Sequence, residues 1–399
     1  MAGRKYLLII LAFAAFSRAY GQSLTFKEAD SLSYGLYTNG NWQNLIDYGK
    51  RAIATGTDFP LLRLRIGYAY FNTGNYGEAL SQYQMVLSRD SHNQLAHLYA
   101  YWCHRYLNQD AQASYHAAFL DTSIINTTHI SPFGLIDAAL ESGVEMNTNT
   151  YRGTALYNRL GISNRLGWKF QLDESVLYFR QSIYHPYHNS YNSLQRNYNT
   201  ISNNSVSQCE YYGKLNYVLS NKWVLYGGYH YINAKYREED YNNNIGLIGL
   251  KYTGSIIGFQ ADADLGQISN HAVYQYNTLL TIMPAGNLNL YFISRASLLR
   301  NSDKANVIFS QTAGERLTRN FWLESNVTLG SQNNYMDADG LYVYNSIDIT
   351  KFRASGTTYY AIGNHALLYL NYTYEQKKDN YTSSNYNQHS ITGGLKWKF

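Results

Sequence analysis

The chain has 399 residues, room for two or three domains, and 45% of them are hydrophobic although only 15% are charged. It contains 42 Tyr and 4 Pro, and such a Tyr content favours strands and membrane–water interfaces. The net charge is +5, but the basic residues are scattered, which excludes the clustered basic surface that binds nucleic acid. Cys103 and Cys209 are too few for a disulfide framework and are interpreted as packing residues.

The N-terminus has the organisation of a secretory signal peptide. Arg4 and Lys5 precede an apolar run over residues 6–16, which is too short for a membrane-spanning helix. Ala19-Tyr20-Gly21 then supplies the small residues of a cleavage site. We therefore predict a signal peptide over residues 1–21 and a mature protein that leaves the cytoplasm.

A short repeat follows the signal peptide. Gly40-Asn41-Trp42 recurs 34 residues later as Gly74-Asn75-Tyr76. Around the second copy, small and aromatic residues have the tetratricopeptide spacing, in which small residues let paired helices approach and aromatic residues fill the groove between them. Residues 22–128 therefore resemble about three tetratricopeptide units. The residues assigned to this helix packing are Gly40, Trp42, Gly67, Tyr70, Gly74, Tyr76, Ala79 and Tyr83.

The tetratricopeptide resemblance implies a groove for a periplasmic protein or peptide. The alternative is a spacer that simply packs beneath the domain that follows. Trp42, Tyr70 and Tyr76 have the packing spacing, so we expect them between helices rather than in contact with a ligand.

From residue 129 to residue 399 the hydrophobic period changes to two, which is typical of strands with differently solvated faces. In the last strand, Phe399 and Trp397 share one face, and Lys398 and Lys396 share the other. A soluble sandwich can show the same alternation, but charges repeated on the hidden face fit a water-filled lumen better. We therefore predict an antiparallel transmembrane β-barrel over residues 129–399, after the helical repeats.

Charged residues on the polar face of several strands are the candidates for lining the lumen. Asp262 and Asp264 could act as paired carboxylates, although a structural network with Lys and Arg of neighbouring strands is the preferred interpretation. Arg152 and Glu174 fall on the expected outer face, which indicates local bulges or shifted strand ends. The lumen-lining candidates are Asp262, Asp264, Arg295, Glu324, Lys396 and Lys398.

Hairpin counting predicts about 14 strands, with 12 or 16 as the alternatives, because such barrels have even strand numbers. Short links such as Ser220-Asn221-Lys222 alternate with longer polar links that we expect outside the cell. Trp168, Trp223 and Trp322 follow short links and predict an aromatic girdle at the inner interface. The longer links are Ile183–Asn204, Glu238–Asn243, Ser331–Gly340 and Gln376–Asn385.

The terminal Phe399, on an alternating strand, resembles the signal read by the outer-membrane insertion machinery. As a whole the chain resembles tetratricopeptide-plus-barrel outer-membrane proteins, and its barrel resembles the YaiO-type family. In plan it is also similar to exopolysaccharide-export barrels, which have many more repeats. This resemblance implies an outer-membrane location with the N-terminal domain in the periplasm. It also implies outer-membrane lipid and the insertion machinery as partners, with a periplasmic protein as a further possible one.

Few residues point to chemistry. His185 and His188 could bind a metal, but no third ligand is evident, so a polar loop is the preferred interpretation. Neither a G-x-S-x-G elbow nor an H-E-x-x-H helix is present in the sequence. We therefore predict no catalytic residue, no metal and no cofactor.

The preferred function is passage or export of a hydrophilic solute or glycan through the barrel. One alternative is an anchored scaffold whose repeats bind a periplasmic partner, and another is an enzyme at the barrel rim that acts on lipid or glycan. An open lumen would favour transport, a plugged lumen would favour the scaffold, and clustered acid, base and nucleophile would favour catalysis.

Overall fold

A computed structural model describes residues 25–186, 201–301 and 304–399. The chain divides into two compact units, residues 1–100 and residues 101–399. The described part of the first unit is helical, and the second unit contains the strands. The fifth helix crosses the division.

Local sequence signals explain where helices begin in the first unit. The Thr25 hydroxyl accepts from the backbone N–H of Glu28, whose carboxylate accepts from the Thr25 N–H, and this capping box starts the first helix. Pro60 starts the third helix, at a position where its missing N–H has no partner to lose. The helices are α1 (Phe26–Thr38), α2 (Trp42–Ala54), α3 (Pro60–Asn72), α4 (Tyr76–Leu87) and α5 (Gln94–Tyr106).

The residues assigned to repeat packing lie in and between these helices. Tyr70, Ala79 and Tyr83 are buried, and a Cβ at Gly67 would lie 2.6 Å from the Tyr83 ring. Trp42 is half-buried, with its ring centre 5.4 Å from that of Tyr68. Tyr76 contacts the Phe71 ring, and Gly40 and Gly74 end their preceding turns at positive φ. The helices therefore pack as pairs, and membership of the tetratricopeptide family stays a prediction.

The strands of the second unit form a closed antiparallel barrel of 14 strands together with a separate two-stranded sheet. This confirms the predicted fold class and strand number. The barrel strands are β1 (Phe133–Asn147), β2 (Arg152–Leu166), β3 (Phe170–Pro186), β4 (Ile201–Val218), β5 (Trp223–Tyr236), β6 (Glu239–Thr253), β7 (Ile257–Ile268), β8 (His271–Ile282), β9 (Leu290–Asn301), β10 (Lys304–Arg316), β11 (Phe321–Leu329), β14 (Ile349–Ile362), β15 (Ala366–Lys378) and β16 (Asn385–Lys398). The separate sheet consists of β12 (Tyr335–Asp337) and β13 (Tyr342–Tyr344).

The barrel closes where β1 pairs with β16, from Asp137 opposite Lys398 to Asn147 opposite Gln388. We name the rim where β1 begins and β16 ends the terminal rim, and the opposite one the loop rim. Closure pairs each barrel strand on both sides. An unpaired strand edge would be costly in a membrane, because lipid offers no hydrogen-bond partner.

The two faces of the barrel have opposite polarity. Outward Leu140 and Leu370 are 55% and 56% exposed, whereas inward Asp264 is 1% exposed. An apolar exterior around a polar interior reverses the pattern of a soluble domain and is the pattern of a barrel embedded in lipid. Terminal Phe399 and Trp397 belong to the outer face, as the alternation predicted.

Helices α6 (Asp110–Ala117) and α7 (Thr122–Thr128) precede the barrel in the second unit. The Gln112 amide of α6 donates to the hydroxyl of Thr253 at 2.8 Å. Lys398 donates to the amide oxygen of Asn108 at 2.9 Å. These contacts attach α6 and the turn before it to the terminal rim. Among the described residues, no helix is long and apolar enough to cross a membrane.

Two residues expected on the outer face differ in their placement. A register shift between Arg152 and Ala155 turns Arg152 inward, where it is buried, so the local bulge that the sequence indicated is present at this position. Glu174 does face outward, and its carboxylate accepts from the Tyr211 hydroxyl at 2.7 Å. A one-residue slip reverses every side chain that follows, which is why a bulge defeats simple alternation.

Two predicted external links are wrong. Residues 238–243 belong mainly to β6, which follows β5 after a tight turn with Arg237 at positive φ. Residues 331–340 contain β12 and fold into the barrel, as described below. The link predicted over 183–204 is shorter because β3 and β4 extend into it, and residues 187–200 lie outside the described residues.

The predicted aromatic girdle does not include Trp322. Trp223 lies outward at the terminal rim against Tyr252, with ring centres 5.0 Å apart. Trp322 instead shares the inward face with Glu324 and lies under the Arg316 guanidinium, 4.8 Å from its ring centre. A tryptophan after a tight turn can therefore belong to either face.

Candidate functional site

The segment between β11 and β14 enters the barrel. We name residues 330–348, which include β12 and β13, the lumen hairpin. Tyr335 and Met336 are fully buried in it. They pack against inward residues of the wall strands β5 to β10, so the hairpin lies inside the barrel. These wall residues are Ile232, Ile245, Ile268, Val273, Leu299 and Ile308.

Side chains of the wall bind the backbone of the hairpin. The Gln275 amide accepts from the Met336 N–H at 2.9 Å and donates to the Met336 carbonyl at 2.6 Å. The His230 Nδ1 donates to the carbonyl of Gly340 at 2.7 Å, and the Tyr212 hydroxyl donates to that of Asp339 at 2.9 Å. β12 and β13 pair only with each other, so these polar side chains of the wall satisfy backbone groups that this pairing leaves open.

The tip of the hairpin carries two carboxylates that meet wall cations. Asp339 lies 3.1 Å from the Lys214 ammonium and 3.7 Å from the Arg295 guanidinium. Asp337 lies 2.6 Å from Arg353 and 3.9 Å from Arg295. We name these four contacts the tip ion pairs. They connect the hairpin to β4, β9 and β14, on different sides of the barrel.

A second ionic contact holds the end of the hairpin. Two nitrogens of Arg152 donate to the Asp348 carboxylate at 2.6 and 2.9 Å, and Asp379 lies 3.2 Å away. The Tyr386 hydroxyl also donates to Asp348 at 2.7 Å. We name this contact the root clamp, since it joins the hairpin to the loop rim.

The structure places Asp262 and Asp264 on the inward face, in a network of neutral side chains. The Asn277 amide donates to both carboxylates, at 2.5 and 2.7 Å, and the Tyr226 hydroxyl donates to Asp262 at 2.9 Å. Gln260 links the network to the tip, because its amide donates to Asp262 at 3.0 Å and to Asp339 at 2.7 Å. The donors in this network are amides and a phenol, whereas the sequence analysis preferred a network with Lys and Arg of neighbouring strands.

The other lumen candidates lie apart from one another. Arg295 belongs to the tip ion pairs, whereas Glu324 accepts from the Tyr291 hydroxyl at 2.5 Å. Lys396 pairs with Asp137 at 2.9 Å near the terminal rim. Lys398, the next inward residue, contacts Asn108 as described. The structure therefore brings Asp262, Asp264 and Arg295 to the hairpin tip and leaves the remaining candidates elsewhere on the wall.

A further inward feature is a set of tyrosines that lie over glycines. In each pair the two residues are directly opposite on neighbouring strands. A Cβ at the glycine would lie 2.1 to 2.3 Å from a ring carbon, so the ring lies flat on the glycine backbone. Sequence reasoning missed these pairs, although glycines and tyrosines at inward positions were visible. The pairs are Gly143–Tyr157, Gly249–Tyr226, Gly314–Tyr291 and Gly394–Tyr369.

Two further interpretations of the sequence concern a metal site and the cysteines. His188 and the side chain of His185 lie outside the described residues. Among the residues that the structure describes, no group of three or more His, Cys, Asp and Glu could hold a metal ion. Cys103 is buried and Cys209 is exposed, and both are free thiols.

No protein-family model matches the sequence, and no curated protein matches it. Among solved structures, the toluene transporter TodX of Pseudomonas putida superposes with a TM-score of 0.47 at 8% identity, covering 68% of this chain and 90% of that one. A bacterial polysaccharide outer-membrane secretin gives 0.39 at 8%, covering 66% and 98%. The Acinetobacter baumannii outer-membrane protein Omp33 gives 0.39 at 10%, covering 66% and 99%. With TM-scores below 0.5, these likenesses do not bear on the function.

Proposed function

We propose that this protein is an outer-membrane channel for a hydrophilic solute or glycan, with the lumen hairpin as its gate and its N-terminal helices in the periplasm. The apolar exterior supports a lipid location, and the polar interior supports an aqueous path. The tip ion pairs are the observation that carries the gate, because they join the hairpin to three strands on different sides of the lumen.

The two attachments of the hairpin differ in their access to water. The carboxylates of the tip, Asp337 and Asp339, are each 22% exposed, whereas the side chains of Arg152 and Asp348 in the root clamp are 3% and 2% exposed. Water reaches the tip carboxylates and lowers the cost of separating them from the wall, although Arg295 and Arg353 are themselves only 9% exposed. Separating the root clamp would leave both of its charges desolvated and without partners. The tip therefore leaves the wall at a lower cost than the root clamp.

Single-channel recording in planar bilayers tests the gate. In the double variant Asp337→Asn, Asp339→Asn, the tip loses both charges, and we expect more frequent or longer open events than in the wild type. Asp240→Asn is the matched control, because Asp240 pairs with Lys235 on an exposed part of β5 and β6 away from the hairpin. Equal conductance in all three proteins would refute the gate.

The occupied lumen also favours one alternative, an anchored scaffold whose helices bind a periplasmic partner. In that case the hairpin is a permanent plug. We then expect neither the wild type nor the Asp337→Asn, Asp339→Asn variant to conduct, and conductance only when residues 334–345 are replaced by a short glycine linker.

A further inference from the structure

The lumen contains a region that the hairpin does not fully cover. Of the four tyrosines that lie over glycines, Tyr226 is 3% exposed beside the hairpin tip, and the Lys214 ammonium lies 5.8 Å from its ring centre. Tyr157, Tyr291 and Tyr369 keep part of their surface accessible. Tyr359 is also partly accessible, with its ring centre 6.1 Å from that of Tyr369. We name Tyr157, Tyr291, Tyr359 and Tyr369 the aromatic sector.

Register places the aromatic sector on a continuous part of the wall. Direct neighbours lead from Tyr291 on β9 across β10, β11, β14, β15, β16 and β1 to Tyr157 on β2. Strands lie about 4.8 Å apart, so these eight strands cover an arc of about 34 Å. Tyr359 and Tyr369 are direct neighbours in the adjacent row. The sector therefore has the length of an extended chain of several sugar units.

The tyrosine rings of the aromatic sector provide faces for stacking, and neighbouring side chains provide hydrogen-bond partners. A ring that lies flat on a glycine presents one face to the lumen, and that face carries the negative part of the aromatic quadrupole. The slightly positive C–H face of a pyranose fits such a surface. Between Tyr291 and Tyr157, the wall also carries Glu324, Asn371 and two threonines, whose side chains can bond sugar hydroxyls.

The charge of this region favours an uncharged ligand. Its carboxylates already accept from phenols: Glu324 from Tyr291, and Glu141 from Tyr369 at 2.7 Å and from Tyr342 at 3.2 Å. An anionic sugar would meet two carboxylates, of which Glu141 lies directly opposite Arg159. An organic cation can lie over a single ring face, but Arg159 already opposes Glu141, and phenols already donate to both carboxylates, which favours a neutral ligand.

We propose that the aromatic sector binds an uncharged saccharide chain by stacking on the faces of its tyrosines. This deepens the proposed channel function by naming the substrate class, and it rests on that function. The pair of Tyr359 and Tyr369 lies three strands from Tyr291 on one side and three strands from Tyr157 on the other, so one chain can stack at three places along the arc.

Isothermal titration calorimetry on the full protein tests the site, in dimethyldodecylamine oxide micelles, which carry no sugar head group. The neutral probes are maltohexaose, cellopentaose and chitotetraose. A polygalacturonate oligomer is the anionic probe, and tetramethylammonium is the cationic one. We expect saturable binding of at least one neutral saccharide and weaker or no binding of the charged probes.

Substitutions then assign the binding to the sector. Tyr291→Leu and Tyr369→Leu should each weaken saccharide binding by about two- to tenfold, the usual contribution of an aromatic contact. Tyr291→Phe keeps the ring face and should keep most of the affinity. Tyr276→Leu is the matched control, because Tyr276 lies on the outer face of β8 and is 53% exposed there. Heat modifiability on gels verifies that each barrel is folded.

Three results would overturn the proposal: no saturable binding of any neutral saccharide, equal affinity in both Leu variants and the wild type, or tighter binding of tetramethylammonium. Binding is measured at equilibrium, so it does not depend on conduction. A barrel that binds saccharide but conducts in none of the hairpin variants would refute the channel and keep the site. A barrel that conducts but binds no saccharide would refute only the site.

Discussion

Asp262 and Asp264 show how the role of an inward carboxylate depends on its neighbours. Alternation places both in the interior, but it does not tell whether they face open water or a packed network. The structure surrounds them with Asn277, Gln260 and Tyr226 next to the hairpin tip. They therefore shape the wall against which the tip rests.

We expect the double variant Asp262→Asn, Asp264→Asn to fold and to shift the reversal potential towards weaker cation preference, because the lumen loses two negative charges. Loosening of the network around Asn277 should also raise conductance. Bilayer recording under a salt gradient measures both quantities. An unchanged reversal potential and an unchanged conductance would show that these residues do not face the ion path.

Gly67 is a glycine whose lack of a side chain is required by a close approach. A Cβ there would lie 2.6 Å from the ring of buried Tyr83. We expect Gly67→Ala to destabilise the helices by about 1–3 kcal/mol through overpacking, measured by thermal loss of helical circular dichroism. Gly35→Ala in α1 is the control: it meets nothing within 4 Å, so it should stabilise the helix by up to about 1 kcal/mol. Equal effects of the two substitutions would contradict this packing.

At the scale of elements, the lumen hairpin combines an apolar limb with an ionic tip. Tyr335 and Met336 bury their side chains against the wall, while Asp337 and Asp339 end in charge contacts. The apolar limb favours a hairpin that stays in the barrel, and the ionic tip can be displaced. A hairpin with both features can change position without losing its attachment.

The tip ion pairs should persist in mildly acidic solution. Burial alone would raise the pKa of Asp339, but Lys214 and Arg295 hold that pKa well below its usual value. The pKa of Asp337 is likewise lowered against the effect of burial, by Arg353 and Arg295. A depressed carboxyl pKa means that the ion pairs are complete above the ordinary value of about 3.9 and are lost only as pH falls below it.

We therefore expect the same low conductance from neutral pH down to about pH 5, and a rise only in more acid solution. Recording the wild type over this range, with the Asp337→Asn, Asp339→Asn variant as a control that has no such transition, measures the effect. Opening of the wild type between neutral pH and about pH 5 would mean that a group other than these carboxylates holds the tip.

At the scale of the whole molecule, insertion should depend on the last residue. Phe399 is 57% exposed on the outer face, and its N–H donates to the carbonyl of Ile136 at 3.0 Å. We expect deletion of Phe399 to impair insertion and to leave protease-sensitive protein in the periplasm. Gel analysis of heat-modifiable barrel in membrane fractions measures this. Wild-type amounts of folded barrel from the truncated chain would contradict the prediction.

Orientation can be tested at the loop rim. Thr382 lies exposed in the link between β15 and β16. In a Cys209→Ser background, we expect Thr382→Cys to react with a membrane-impermeant maleimide in intact cells, because this rim should face outside. Thr318→Cys, in the link between β10 and β11 at the terminal rim, should react only after the outer membrane is permeabilised. The reverse pattern would invert the topology.

The local sequence pattern determined which segments form strands, which face of each strand is apolar, and which glycine lies between helices. Alternation from Ile257 to Leu265 and from Ile391 to Phe399 identifies the strands and their faces, because an apolar exterior and a wet interior impose a period of two on each strand by itself. The packing glycine Gly67 was visible in the same way, since the contact between paired helices repeats at a fixed spacing.

Only the tertiary structure decided what occupies the lumen. Residues 331–340 have the polar composition of an external loop, and their inward path depends on distant residues such as Ile245 and Arg295. One signal was available: Ile245 and Leu247 are apolar at inward positions of a strand whose outer face is apolar too. Whether such residues meet a hairpin, a solute or each other depends on the space that remains after the strands close, and no local period specifies that space.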